Sequence, residues 1–169
     1  EIAVLNLRLP RILLACLVGC ALSAAGTAYQ SVFRNPMAAP DILGASSGAC
    51  FGAALAILLG LGRGGVTALA CAASLVTVAL VYVIARRIRG NQVVNLLLSG
   101  IMISSLFSAG TSYIKLVADP TNQLPAITYW LMGGLSSASY GTLLLGAPSI
   151  LVGILVLYLL RWRMNLLPL

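Results

Sequence analysis

Charged residues divide this chain into long apolar runs. Charge-free intervals cover 12–33, 42–62, 64–85, 90–114 and 120–160. A helix that crosses a bilayer needs about 20 apolar residues. The first four intervals each hold one such helix, and the last holds one helix plus a shorter segment. The pattern predicts one transmembrane domain over 1–169, with helices at 8–33, 46–60, 66–86, 92–116, 125–134 and 140–161. The segment 125–134 is too short to span. It opens with Pro125, carries Tyr129, Trp130 and Met132, and is stopped by Gly133 and Gly134. Tyr and Trp favour the membrane interface, so it reads as a re-entrant or interfacial helix. The expected fold is an all-α integral membrane protein of about five transmembrane helices plus this short one.

Within the runs, small residues recur at helical spacing. Ala15, Gly19, Ser23 and Thr27 form one stripe of the first helix, and Cys16, Cys20, Ala24 and Ala28 the next. Such stripes let backbones approach closely in lipid. Two adjacent stripes point to a helix surrounded by others; packing against one partner is the simpler alternative. Pro10 suits a first helical turn. Gly44, Gly48, Gly52 and Ala56 repeat the pattern in the second helix, which is expected to start at Ser46 or Ser47 as caps. In the fourth helix Gly100, Ser104, Ser108 and Ser112 form a weakly polar stripe. It reads either as interhelical hydrogen bonding or as the wall of a translocation path.

The stretch RNPMAAPDILGASSG at 34–48 breaks the apolar pattern. Pro36 and Pro40 each remove a backbone donor and push Asn35 and Ala39 out of helical geometry. Unpaired backbone groups cannot face lipid, so the stretch lies at the interface or inside protein. Arg34 and Asp41 bracket it, and Gly44 and Gly48 lead into the next helix.

Composition agrees with the pattern. The 169 residues are 60% hydrophobic and 8% charged, against roughly 25% charged in soluble domains. The net charge of +7 is no nucleic-acid signal, because the cations sit at helix ends and anchor headgroups. With alternating ends, Arg34, Arg86, Arg87, Arg89, Arg161 and Arg163 fall on one side. Arg8, Arg11, Arg63 and Lys115 fall on the other. The positive-inside rule puts the first set in the cytoplasm.

The remaining chemistry is sparse. The GLGRGG at 60–65 lacks the strand and acid of a dinucleotide site and reads as a turn. The four cysteines lie in apolar runs as small packing residues. The chain has no His, so no catalytic triad and no metal site is expected. It has no phosphate-binding G-x-x-x-x-G-K-[ST] run. Asp41 and Asp119 both fall in loops, so no acid is expected mid-membrane for ion coupling. No catalytic residue or cofactor is expected, and energy for transport must come from elsewhere.

LRLPR at 7–11 and AGTAYQSVFRNPMAAPDILGASSGA at 25–49 resemble the FecCD/BtuC-type permeases. These are membrane subunits of ABC importers for iron–siderophores, haem, vitamin B12 and related chelates. Gln30, Asn35, Pro36, Ala38, Pro40, Leu43, Gly44, Ser46, Gly48 and Ala49 fit the family pattern, and Met37 replaces its usual Leu. YVIARRIRG, LLLSG, YWLMGGLSS and RWRMNLLPL extend the likeness along the chain. The resemblance implies a bacterial cytoplasmic (inner) membrane permease working as a homodimer. Its partners would be two cytoplasmic ATPases and a periplasmic or lipoprotein binding protein. It implies that Arg8 and Arg11 face outside and receive acids of that binding protein. It also implies that 92–116 and 125–134 line the pathway, with Gly100, Ser104, Ser108, Ser112, Trp130 and Met132 as candidates. Arg34, Asn35, Pro36, Pro40, Asp41, Gly44 and Gly48 form a structural marker loop. Family members continue into an acidic ATPase-docking segment and a second half, so the sequence reads as an N-terminal fragment. A channel or secondary carrier of similar helix count, needing no ATPase, is the alternative.

Overall fold

The computed structural model describes residues 8–35, 38–135 and 138–166. Helices form where the apolar runs predict them: α1 (Leu9–Phe33), α2 (Ala45–Leu58), α3 (Arg63–Arg87), α4 (Gln92–Val117), α5 (Gln123–Met132) and α6 (Tyr140–Leu166). Among the described residues, α1, α3, α4 and Tyr140–Trp162 of α6 are long and apolar enough to cross a membrane. A 25-residue helix such as α3 is about 37 Å long. The apolar α2 has 14 residues, or about 21 Å. The chain divides into two compact units, 1–40 with 134–169, and 41–133.

In the first unit α1 packs against α6. Pro10 sits in the first turn of α1, where no intrahelical N–H is required. The helix ends on Arg34, a non-glycine residue in the left-handed region at φ 48°. The backbone N–H groups of Arg34 and Asn35 both donate to the Gln30 carbonyl. This is the usual glycine-type helix stop, made here by an arginine. Pro148 lies inside α6, and the Arg161 guanidinium stacks 4.2 Å from the Tyr158 ring centroid.

The second unit is built around α2, which packs against α3, α4 and α5. Its glycine stripe explains the closeness. A Cβ on Gly52 would lie 2.6 Å from Ala73 Cβ, 2.6 Å from Leu69 O and 3.1 Å from Ala70 Cα. A Cβ on Gly48 would lie 2.8 Å from Thr77 Cβ and would collide with Thr77 Oγ1. On the α4 side, Gly100 faces the Ile42 carbonyl, and the Phe51 ring lies against Gly110 and 5.3 Å from Phe107. Ile127 of α5 is fully buried with Ala54, Ile114 and Ala118. Gln123 ties α5 in place, donating to the Leu58 carbonyl at 3.2 Å.

One detail differs from the sequence reading and a second sharpens it. First, α2 begins at Ala45 with Gly44 as its cap, at φ 72° and without a side-chain cap bond. Ser46 and Ser47 lie inside the first turn instead. A helical turn over Pro40–Leu43 precedes it, closed by Gly44 N–H donating to the Asp41 carbonyl at 2.9 Å. Second, this turn is recessed. Ile42 meets α4 at Gly100, eight residues past Gln92, or about 12 Å along the helix. Gly48 meets α3 at Thr77, which leaves the Asp41–Gly44 turn about 9 Å short of Arg87. Asp41 therefore sits within the thickness that α3 and α4 span, not beyond it. Irregular backbone at that depth is tolerated inside protein or beside water, never against lipid.

Candidate functional site

The hydroxyl-bearing faces of α2 and α4 meet in an open groove of about 360 Å³. Ser46, Ser47 and Cys50 line it from α2. Ser108, Thr111, Ser112 and Lys115 line it from α4, and Leu131 from α5. The arrangement follows from helical spacing: Ser46 and Cys50 are one turn apart, as are Ser108, Ser112 and Lys115. Small residues on α2 keep the helix close to its neighbours and leave the hydroxyls as the main functional groups.

The hydroxyls are not equivalent. Thr111 Oγ1 donates to the Phe107 carbonyl at 2.8 Å, and Ser112 Oγ donates to the Ser108 carbonyl at 3.0 Å. Their protons are committed, and their oxygens face the groove as acceptors. Among the described residues the hydroxyls of Ser46, Ser47 and Ser108 make no hydrogen bond, so they can donate. Lys115 is half-buried at the end of α4 and is, among the described residues, the one cation that lines the groove. Cys50 is a free, half-buried thiol.

The predicted pathway stripe is divided by the fold. Gly100 is buried against the Ile42 carbonyl, and half-buried Ser104 fills the space where a Gly44 side chain would be. Ser108 and Ser112 reach the groove. On α5, Trp130 and Met132 are exposed and it is Leu131 that lines the groove. Arg8 is exposed at the start of α1. Exposed Arg11 donates from Nε to the Leu135 carbonyl at 3.0 Å, so one face of its guanidinium serves its own unit. Both arginines belong to the first unit and the groove belongs to the second. Of the marker loop, Arg34 and Asn35 close α1, Pro40 and Asp41 form the recessed turn, and Gly44 and Gly48 seat α2. Pro36 lies outside the described residues.

Sequence reasoning missed Ser46, Ser47, Cys50, Thr111, Lys115 and Leu131. The first three read as caps and packing, and Lys115 as a headgroup anchor. The signal was present in α4: Lys115 continues the Ser108 and Ser112 face at i+3 and i+7.

Beside the groove, the α4–α5 loop is ordered by one carboxylate. Asp119 accepts from Thr121 Oγ1 at 2.8 and 2.9 Å and from the Asn122 side chain at 3.1 Å. These bonds, those of Thr121 foremost, hold its carboxyl below the ordinary value.

Comparison with known proteins follows the same fold. The profile of the FecCD transport family matches residues 1–169. A probable iron chelatin transport system permease of Helicobacter pylori is 42% identical, covering 100% of this chain and 51% of that protein. The hemin transport system permease HmuU of Yersinia pestis is 40% identical, over 98% of this chain and 51% of its own. A solved structure assigned to the metal-chelate type of ABC transporter, in an inward-facing conformation, superposes with a TM-score of 0.91. It is 36% identical and covers 99% of this chain and 53% of its own. The chain spans about half the length of the curated relatives it matches.

Proposed function

The chain belongs to the FecCD transport family, and from that premise we propose that it is part of the permease of an ABC importer for metal chelates. The complete permease would sit in the bacterial cytoplasmic membrane as a homodimer. Two cytoplasmic ATPases would supply the energy, and an external binding protein would deliver the cargo. The chain itself performs no bond chemistry. Its work is to bind weakly and to change shape between two membrane states.

The observation that carries this reading is the groove. A unit seated on glycine and alanine keeps an open, hydroxyl-lined face at helix positions where packing needs none. Ser108 and Ser112 act there as pathway lining, while Gly100 and Ser104 support it from behind. Arg8 and Arg11 serve as the docking pair for acidic residues of the binding protein, a contact that steers association and weakens with salt.

The test is uptake by the full-length permease, reconstituted in liposomes with its ATPase and supplied from outside with binding protein that carries a radiolabelled ferric chelate. Uptake should require internal ATP. Accumulation that persists without the ATPase would favour the channel or carrier reading. Arg8→Glu with Arg11→Glu should weaken binding-protein affinity by at least tenfold, and unchanged affinity would remove the docking role.

A further inference from the structure

We propose that the C-terminal end of α3 holds an anionic phospholipid, its phosphate gripped by Arg86, Arg87 and Arg89. The site lies outside the transport reading and depends on neither pathway nor cargo. α3 is long and apolar enough to cross a membrane, and its last turn carries Arg86 and Arg87. Arg89 follows two residues on, and no other four-residue window of the sequence holds three cations. The positive-inside rule assigns this end to the cytoplasm, where the leaflet is anionic and attracts basic segments.

Tyr82, Val83, Arg86 and Arg87 line an open recess of about 340 Å³ on α3. The Arg86 guanidinium is braced 5.7 Å from the Tyr82 ring centroid. Among the described residues, Arg86, Arg87 and Arg89 make no hydrogen bond or ion pair. No acid stands in the first turn of α4. Asp41 lies about 9 Å short of Arg87 along α3, and Asp119 follows the far end of α4. The turn beyond α3 is fixed from within. Buried Asn95 donates to the Ile88 carbonyl at 2.9 Å, and Asn91 accepts from Val93 N–H. The backbone that carries Arg89 is therefore held in place beside α3.

The helix face that leads up to these cations suits acyl chains. Val76, Leu80, Val83 and Arg87 fall on one stripe of α3 at helical spacing, and all four are exposed. Thr77, Val81 and Ala85 form the buried face of the same helix. α3 thus presents an apolar strip that ends in guanidinium groups. A phosphodiester offers the paired oxygens that a guanidinium fork grips, and the lipid tails cover the strip. Free phosphate matches only the charged end. An acidic surface of a cytoplasmic ATPase would stay in water and leave the strip bare.

The test takes full-length permease in detergent, adds phosphatidylglycerol or phosphatidylcholine, and counts retained lipid by native mass spectrometry. Phosphatidylglycerol should be preferred, and inorganic phosphate should not displace it. Arg87→Gln should lower the preference by about fivefold, and the triple change of Arg86, Arg87 and Arg89 to Gln should lower it further. Arg87→Lys should keep most of it. Arg63→Gln, at the other end of α3, should leave it unchanged. If the triple variant does not assemble, Arg87→Gln alone decides. Equal retention of the two lipids, or an equal loss with Arg63→Gln, overturns the site. Displacement by inorganic phosphate overturns the lipid assignment. A triple variant that keeps the lipid preference but loses ATPase affinity gives these arginines to the ATPase and overturns the inference.

Discussion

Replacing Gly52 by alanine adds one methyl group where α2 meets α3. The added Cβ would stand 2.6 Å from Ala73 Cβ and from Leu69 O, and 3.1 Å from Ala70 Cα. Carbon atoms rest comfortably at about 3.5–4.0 Å, so the two helices must part by about 1 Å. None of the atoms struck is the end of a flexible side chain, so none can rotate away. Overpacking of this kind costs about 1–3 kcal/mol, and the upper half of that range applies. The better helix propensity of alanine returns about 0.8–1.0 kcal/mol. The expected net loss is about 1–2 kcal/mol, or about 3–6 °C in the apparent Tm at the scaling of domains this size. The assay is the fraction of full-length permease that stays monodisperse after heating in detergent. Gly64→Ala is the control, because a Cβ there meets nothing within 4 Å, and it should not lower the Tm. A Gly52→Ala protein that melts at or above the parent would refute the claim that glycine sets the α2–α3 distance.

Other substitutions separate the remaining forces. Gly44→Ala pays both for a left-handed φ of 72° and for a collision with Ser104 Oγ. Adding Ser104→Gly should recover the collision but leave a backbone cost of about 1–2 kcal/mol, seen as incomplete recovery of Tm. Gln123→Leu removes the bonds to the Leu58 carbonyl and from the Asp119 N–H; it should cost about 1–2 kcal/mol and speed amide exchange in α5. Asp119 has a lowered pKa, so its hydrogen bonds stabilise the loop fully above the ordinary carboxylate value and lose that effect as pH falls through the depressed one. Thr121→Val should move the Asp119 titration up toward the ordinary value, as read by carboxyl NMR. A titration that stays put would mean Thr121 is not the main cause.

The helices were legible because bilayer thickness dictates run length, and charges mark where runs end. The start of α4 is a case: Asn91 caps it by accepting from Val93 N–H at 3.0 Å, one residue before the expected 92. Depth was less legible. The proline-rich segment reads as lying at the interface or inside protein, and only the Gly100–Ile42 and Gly48–Thr77 approaches decide between the two by placing Asp41 in a recessed turn. The groove was half legible. Spacing placed Ser108 and Ser112 on one face, but the partner face of α2 depends on which helices meet, and no one-dimensional pattern carries that. Gly100 and Ser104 shared the spacing of the stripe yet serve packing, because the recessed turn happens to lie against them.

The shortness of α2 also bears on how the protein enters its membrane. At about 21 Å, α2 is too short to cross a hydrocarbon core of about 30 Å unaided, apolar though its Ala- and Gly-rich sequence is. The turn at Gly60–Gly62 joins it to α3, which is long and strongly apolar. The two are therefore expected to insert as a hairpin, with α3 drawing α2 in behind its own commitment to lipid. In a glycosylation reporter, α2 alone should fail to insert and α2 with α3 should succeed. The glycines that let α2 nestle in the finished fold thus leave it dependent, at birth, on the next helix to emerge from the ribosome.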